Sequence, residues 1–180
     1  MFFLCRPCTT ELDYEGYVKF LLRHHNDLNL PYAFAVKLSF ISSPLIFGKA
    51  LLILSEEDYD VVGAAGFVYG TGPNGYEDRH ICQVEVAYLR PEYRRTSLFM
   101  QGLMNLLGEI KAGSREVEII QFWVTEGQSE EEGLFSKLNG LPGSKRFLVN
   151  GLMCHQVLFH ELEDYCRRFK NRFQRIEGTC

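Results

Sequence analysis

Two adjoining stretches of this 180-residue chain carry residues whose type and spacing suit chemistry. In HICQVEVAYL, residues 80–89, Glu85 stands on the polar side of an alternating run. A carboxylate so placed can accept a proton from a bound reactant, directly or through water. LRPEYRRTSLF, Leu89 to Phe99, follows at once and leads through a proline and a polar turn into a helical pattern. The first N–H groups of a helix have no intrahelical acceptor, and the helix dipole makes that end partly positive, so a phosphate can be held there by backbone amides. Arg94 and Arg95 add positive charge and Ser97 adds a hydroxyl. Glycine usually lets the backbone come close to such a ligand, and this turn has none.

The elements that must position these residues are legible from periodicity. FFLC is a short apolar strand, and Thr10 with Asp13 forms a capping-box start for a helix carrying Tyr14, Tyr17, Val18, Leu21 and Leu22. His24 and His25 end that helix, where a cationic His suits the dipole. YAFAVKLSF predicts a second helix that stops before Ser42-Ser43-Pro44. KALLILSEED and DVVGAAGFVYG read as a hairpin, with acidic turn residues Glu56, Glu57, Asp58 and Asp60 matched by Glu77 and Asp78 in the next loop. On the following strand, strict alternation places Cys82, Val84, Val86 and Tyr88 on one face and Gln83, Glu85 and Ala87 on the other.

A helix marked by Leu98, Leu103, Met104, Leu107 and Ile110 then ends near Ala112-Gly113. VEIIQFWVT is a strand with Trp123 as a core residue, and SEEEGLFSKLNG is a short helix. KRFLV and LMCHQVLF are strands joined at Asn150-Gly151. Leu162, Tyr165, Cys166, Phe169 and Phe173 line one side of a C-terminal helix, whose other side is basic. Hairpins mixed with strand-helix-strand crossovers predict an α+β fold: a mixed, mostly antiparallel sheet of about seven strands flanked by helices. We expect one domain over 1–180, with a core over 1–161 and a helical extension over 162–180.

Composition bounds the class. A formal charge of −4, with 46% apolar and 23% charged residues, is that of an ordinary soluble globular chain and excludes a surface that binds nucleic acid throughout. No apolar run approaches the roughly 20 residues that span a bilayer. The start, MFFLCRPCTTELD, lacks the basic and apolar regions of a secretory signal, so we expect a cytoplasmic protein whose six cysteines are reduced thiols. The lone CRPC pair, Cys5 and Cys8, has no second pair at metal-binding spacing, and no metal is expected. No membrane association is expected, and the aromatic C-terminal helix offers a homodimer element.

The element order and the segment Val84 to Leu107 resemble the GNAT superfamily of acyl-CoA-dependent N-acyltransferases. The family signature is an apolar strand, a V-x-P-x-Y-[RQ]-G-x-G-[IL]-[GA] turn and a helix. Pro91, Tyr93, Arg94 and Leu98 match it, while Arg95 and Ser97 stand in the glycine positions and Phe99 replaces the last small residue. The likeness of organisation covers most of residues 1–160, and the motif covers about 25.

What the resemblance implies is direct transfer of an acetyl or other acyl group from acetyl-CoA to a primary amine. Glu85 would be the general base. The backbone of Ala87 to Leu89 would bind the acyl carbonyl and pantetheine arm, near an irregularity in strand pairing at Ala87 and Tyr88. The turn from Arg94 through Arg95, Thr96, Ser97, Leu98 and Phe99 would hold the pyrophosphate. The family's usual general acid is a Tyr in a pattern that here reads LFSKLNG, so Phe135 fills that position and the leaving thiolate would take its proton from solvent or from a substitute such as Tyr88 or Tyr93. The alternatives are a GNAT-like domain that binds CoA with weak or no turnover, and an interaction module acting through the C-terminal helix. The first helices and the last hairpin, which build the family's acceptor cleft, match no motif that names the amine.

Overall fold

The reciprocal cap read from the sequence is formed: the Thr10 hydroxyl accepts from the Asp13 amide and the Asp13 carboxylate accepts from the Thr10 amide. It starts helix α1, Glu11–Arg23, after strand β1, Phe3–Pro7. In the computed structural model, which describes residues 2–28, 30–94, 96–125 and 137–177 (side chains to 171), the chain continues with α2, Phe34–Phe47, and the strands β2, Gly48–Ser55, β3, Val61–Tyr69, and β4, Ile81–Leu89. Helix α3, Ser97–Gly113, crosses to β5, Ile119–Thr125. The hairpin β6, Lys145–Val149, and β7, Leu152–Leu158, runs directly into α4, Phe159–Glu177. The Asn150-Gly151 turn has both residues at positive φ, 51° and 80°, as a tight hairpin with right-handed twist requires.

The strands form one sheet in the order β1-β2-β3-β4-β5-β7-β6, antiparallel except for the central β4/β5 pair. Alternate residues serve two cores. Leu51, Phe67, Cys82 and Ile120 pack against Met100, Leu107 and Ile110 of α3 and Phe159, Leu162 and Cys166 of α4. Leu52, Leu54, Ala64, Val86 and Tyr88 pack against Tyr17, Phe20 and Leu21 of α1 and Ile41 of α2. Both faces of the sheet are thus covered, which the expectation of helices flanking a mixed sheet required.

Three sequence-based expectations change. The second helix does not stop before Ser42 but runs through Pro44 to Phe47. Proline costs that helix one N–H and crowds the preceding turn. It is tolerated here because its ring is buried against the sheet and its carbonyl accepts the Gly48 amide that ends the helix. The alternation along β4 is broken: Cys82 and Val84 lie in the α3/α4 core, whereas Val86 and Tyr88 lie in the α1/α2 core. The C-terminal helix begins at Phe159, ahead of the division expected after 161, and its first turns share the α3 core. Tyr165 and Phe169 pack there as the periodicity predicted, and the Phe173 side chain lies outside the described set. Of SEEEGLFSKLNG, residues 137–139 are helical and 129–136 lie outside the described residues. Among the described residues, no helix is long and apolar enough to cross a membrane.

Pro44 and Tyr17 meet the sheet at Gly66. A Cβ there would collide with the Tyr17 hydroxyl and lie 2.5 Å from Pro44 Cγ, so α1 and α2 can approach β3 only because this residue is glycine. Gly66→Ala is expected to destabilise the fold by about 1–3 kcal/mol, as overpacking a close-packed core does. Chemical denaturation reads this as a lower midpoint, and a wild-type midpoint would show that the helices yield freely.

Candidate functional site

The break in alternation has a local cause. Along β3/β4 the register steps from Phe67 opposite Val84 to Gly66 opposite Val86, which leaves Glu85 without a partner. One extra residue on a strand bends it and turns every later side chain to the opposite face. The irregularity therefore falls at Glu85, just before the Ala87 and Tyr88 expected from the resemblance. The parallel β4/β5 pairing covers only Ile81–Val84 against Ile119–Phe122, while β5 continues beside β7 to Thr125. Past Val84, β4 has no strand partner on its β5 side among the described residues.

The Arg90 amide donates to Val62 O on β3 at 2.9 Å. Backbone groups alternate sides along a strand, so Val86 and Tyr88 face β3 while Ala87 and Leu89 turn theirs toward the gap. The Leu89 carbonyl is met there by Arg94 Nε at 2.9 Å. Ala87, exposed, keeps both its backbone groups on that side. An open strand edge of this kind can pair with an amide-bearing chain laid along it.

Glu85 faces the α1/α2 side. Gln83 Nε2 donates to its Oε1 at 2.7 Å. Burial raises its pKa above the ordinary carboxyl value, opposed by the Gln83 bond and by the nearby Ser43 hydroxyl of α2. That hydroxyl is close enough to act electrostatically but makes no hydrogen bond of normal geometry, and the buried Tyr17 hydroxyl of α1 is likewise unbonded. Tyr17's own pKa is raised, by burial first and by the charges of Cys8 and Glu85 after it. A half-buried carboxylate with the Ser43 hydroxyl nearby and electrostatic coupling to Tyr17 is a chemically poised group.

The turn after β4 is built by local bonds. Pro91–Tyr93 make a single tight helical turn, and Thr96 caps α3, its hydroxyl donating to Tyr93 O at 2.7 Å and accepting from the Leu98 amide at 3.2 Å. Leu98 is buried with Val62 and Leu89, which pins the helix start to the end of β4. With the Leu98 amide capped, those of Ser97 and Phe99 are the first-turn donors left for a ligand. Arg94 folds back, its guanidinium 5.1 Å from the centre of the Tyr88 ring, and Arg95 lies outside the described residues.

Tyr88 is buried, stacked on His24 at 4.8 Å, with its hydroxyl 3.5 Å from Asp27 Oδ2. Burial raises its pKa, as does the Asp27 charge, and Arg94 opposes them. Tyr93 packs edge-on against Phe3 of β1. Phe135 lies outside the described residues. Trp123, expected in the core, is only half-buried, and its indole N–H donates to Gln83 Oε1 at 3.1 Å.

The geometry brings Glu85, the Ala87–Leu89 edge and the Thr96–Phe99 helix start around one gap. Residue patterns had not singled out Tyr17, Ser43, Gln121 or Gln156. The two glutamines carried a usable signal, since each is a lone polar residue inside an apolar strand.

This arrangement, a central parallel pair that parts beyond a bulge with a helix start beside it, lies within an overall fold similar to that of solved GNAT-family acetyltransferases. Similar solved structures include a GNAT-family acetyltransferase from Staphylococcus aureus Mu50, 10% identical with a TM-score of 0.62, covering 88% of this chain and 99% of that one. Another is a GNAT-family acetyltransferase from Streptococcus pneumoniae, 14% identical with a TM-score of 0.56, covering 87% and 99%. A third is the ribosomal-protein-S5-alanine acetyltransferase of Vibrio fischeri, 11% identical with a TM-score of 0.55, covering 87% and 92%. No family model matches the sequence, and no curated protein matches it. At these identities the likeness is one of fold.

The raised pKa of Glu85 sets a sign for stability. A carboxyl held more protonated in the folded state than in the unfolded one stabilises the fold at low pH, and that contribution is lost as pH rises through its folded pKa. Above that folded pKa the wild type carries a desolvated charge that Glu85→Gln removes. The variant should therefore melt higher than wild type at pH 7, with the gain vanishing below about pH 4, where the carboxyl is protonated in both states. A melting difference that is independent of pH would contradict this.

Proposed function

We propose that this protein is an acyl-CoA-dependent N-acyltransferase that moves an acetyl group from acetyl-CoA to a primary amine. The observation that carries the reading is the parting of β4 from β5 beyond the Glu85 bulge, because it opens a backbone edge beside a half-buried carboxylate. In this reading the pantetheine amides pair with Ala87 and Leu89, and the pyrophosphate meets the amides of Ser97 and Phe99. Arg94 and Arg95 add positive charge near those phosphates. Side chains at Arg95 and Ser97 narrow the approach that glycines would leave open.

The acceptor amine must lose a proton to become a nucleophile, and Glu85 takes it, directly or through a water held by the Tyr17 and Ser43 hydroxyls. A base whose pKa is raised toward the working pH holds that proton better than an exposed carboxylate does. The amine nitrogen then bonds to the thioester carbon, the C–S bond breaks, and the CoA leaves as a thiolate. Tyr88 stays protonated through the neutral range, so its hydroxyl retains the proton a thiolate needs. Its 3.5 Å contact with Asp27 is long for a hydrogen bond and opens easily. The soluble GNAT fold is consistent with a cytoplasmic setting.

Calorimetric titration with acetyl-CoA should show saturable binding, and steady-state turnover with a panel of primary amines should follow. Glu85→Gln should bind acetyl-CoA as wild type does and lose about 10²-fold or more in kcat. Tyr88→Phe should lower kcat without weakening binding. Absence of binding at millimolar acetyl-CoA refutes the reading. Binding without turnover on any amine would leave a CoA-binding domain of GNAT fold.

A further inference from the structure

Three glutamines stand in one cross-strand row, Gln83 opposite Gln121 and Gln121 opposite Gln156. Their amides are linked end to end. Gln156 Nε2 donates to Gln121 Oε1, Gln121 Nε2 donates to Gln83 Oε1, and Gln83 Nε2 donates to Glu85 Oε1, each at 2.7 Å. Gln83 and Gln121 are 8% and 6% exposed, so these bonds are shielded from water. Buried polar groups are costly unless satisfied, and a row of three inside apolar strands is not needed to close a sheet.

The oxygen and nitrogen of an amide have nearly the same shape, so the sense of such a row must be settled by a group that can act in one way only. Trp123 is that group. Its Nε1 lies 3.1 Å from the same Gln83 atom that Gln121 meets. An indole nitrogen donates and never accepts, so that Gln83 atom is the carbonyl oxygen. Gln83 must then present its NH2 to Glu85, Gln121 must present NH2 to Gln83, and Gln156 must present NH2 to Gln121. Every donor in the row points toward the carboxylate.

We propose that Trp123 and the Gln83-Gln121-Gln156 row are positioning residues, a one-way amide chain that aims Glu85 and holds it as an ionised hydrogen-bond acceptor. This rests on reading Glu85 as the base of acyl transfer. Turned the other way, Gln83 would offer a carbonyl oxygen, and Glu85 would need a proton to meet it. The other groups facing Glu85 are the Tyr17 hydroxyl from α1 and the Ser43 hydroxyl from α2, and β3 presents only Gly66 and Phe67 at the bulge. The row thus sets the base against burial, which by itself would favour the protonated acid.

The test is the titration of the Glu85 side-chain carboxyl by ¹³C NMR in ligand-free protein, assigned by its absence in Glu85→Gln. Trp123→Phe keeps the aromatic bulk but removes the donor that fixes the row. Its Glu85 midpoint should rise by about half to one pH unit, the worth of one neutral hydrogen bond. Gln83→Met should raise it at least as much, and Gln156→Met, at the far end, should raise it less. The acid limb of the kcat/KM profile should move by the same amounts. If Trp123→Phe fails to fold, Gln156→Met, at a half-buried position, carries the test. Midpoints that stay at the wild-type value in folded variants overturn the proposal and leave the row a structural one. The carboxyl titration needs no turnover. Shifted midpoints in a protein that transfers no acyl group would keep the row and remove the reaction, and unshifted midpoints in an active enzyme would do the reverse.

Discussion

The structure turns on one surplus residue in β4. Glu85 has no partner on β3, and that single mismatch does three things at once. It reverses the facing of the strand, so that Val86 and Tyr88 enter the α1/α2 core while Cys82 and Val84 stay with α3 and α4. It bends β4, whose parallel pairing with β5 ends at Val84, so that among the described residues a backbone edge is left open. It also places Glu85 at the bend, on the same side as Gln83 and beneath α1 and α2. A bulge costs pairing locally, while β3 pairs with β2 from Gly48 to Leu54 with a register step of its own at Ile53/Leu54, and β5 pairs with β7 from Ile119 to Thr125.

The helices secure what the bulge opens. Leu98 packs with Leu89 and Val62, tying the first turn of α3 to the last residues of β4, and Thr96 fixes where that turn begins. Arg94 spans the same corner from the Leu89 carbonyl to the Tyr88 ring, and Tyr88 in turn stacks on His24 at the end of α1. The connection between α1 and α2 is therefore coupled to the turn that starts α3 through one arginine and one tyrosine. On the opposite side of the bend, Pro44 and Tyr17 close onto Gly66, which brings the Ser43 hydroxyl near the carboxylate.

Much of this was legible in the chain. The Thr10/Asp13 cap, the Asn150-Gly151 turn, the succession of strands and helices along the chain and the extent of α3 follow from local chemistry that acts within a few residues. Glu85 and the turn around Thr96 could be singled out as candidates because a strand, a proline and a polar helix start occur together. The reversal along β4 was not legible, since HICQVEVAYL alternates without a flaw and nothing within it marks a residue that its neighbour will leave unpaired. Pro44 misled for a related reason: its effect on a helix is local, but the burial that offsets it comes from Gly66, far along the chain. Trp123 looked like core by its type, and only the amide it meets on the adjacent strand gives its N–H a task.

The cross-strand row shows why such features escape a reading by periodicity. Gln121 and Gln156 are each one polar residue in an apolar strand, and separately each looks like an expensive accident. Strand register makes them neighbours, and the donor-only indole of Trp123 then imposes one sense on every amide between them. Binding an acyl-CoA asks only for the open edge of β4 and free amides at the start of α3. Moving its acyl group asks for a carboxylate ready to receive a proton, and burial alone works against that. In the proposed reading the amide row answers the second demand, because Gln83, its sense set by Trp123 and by the amides behind it, gives its NH2 to Glu85 and favours the charge that the surrounding apolar strands disfavour.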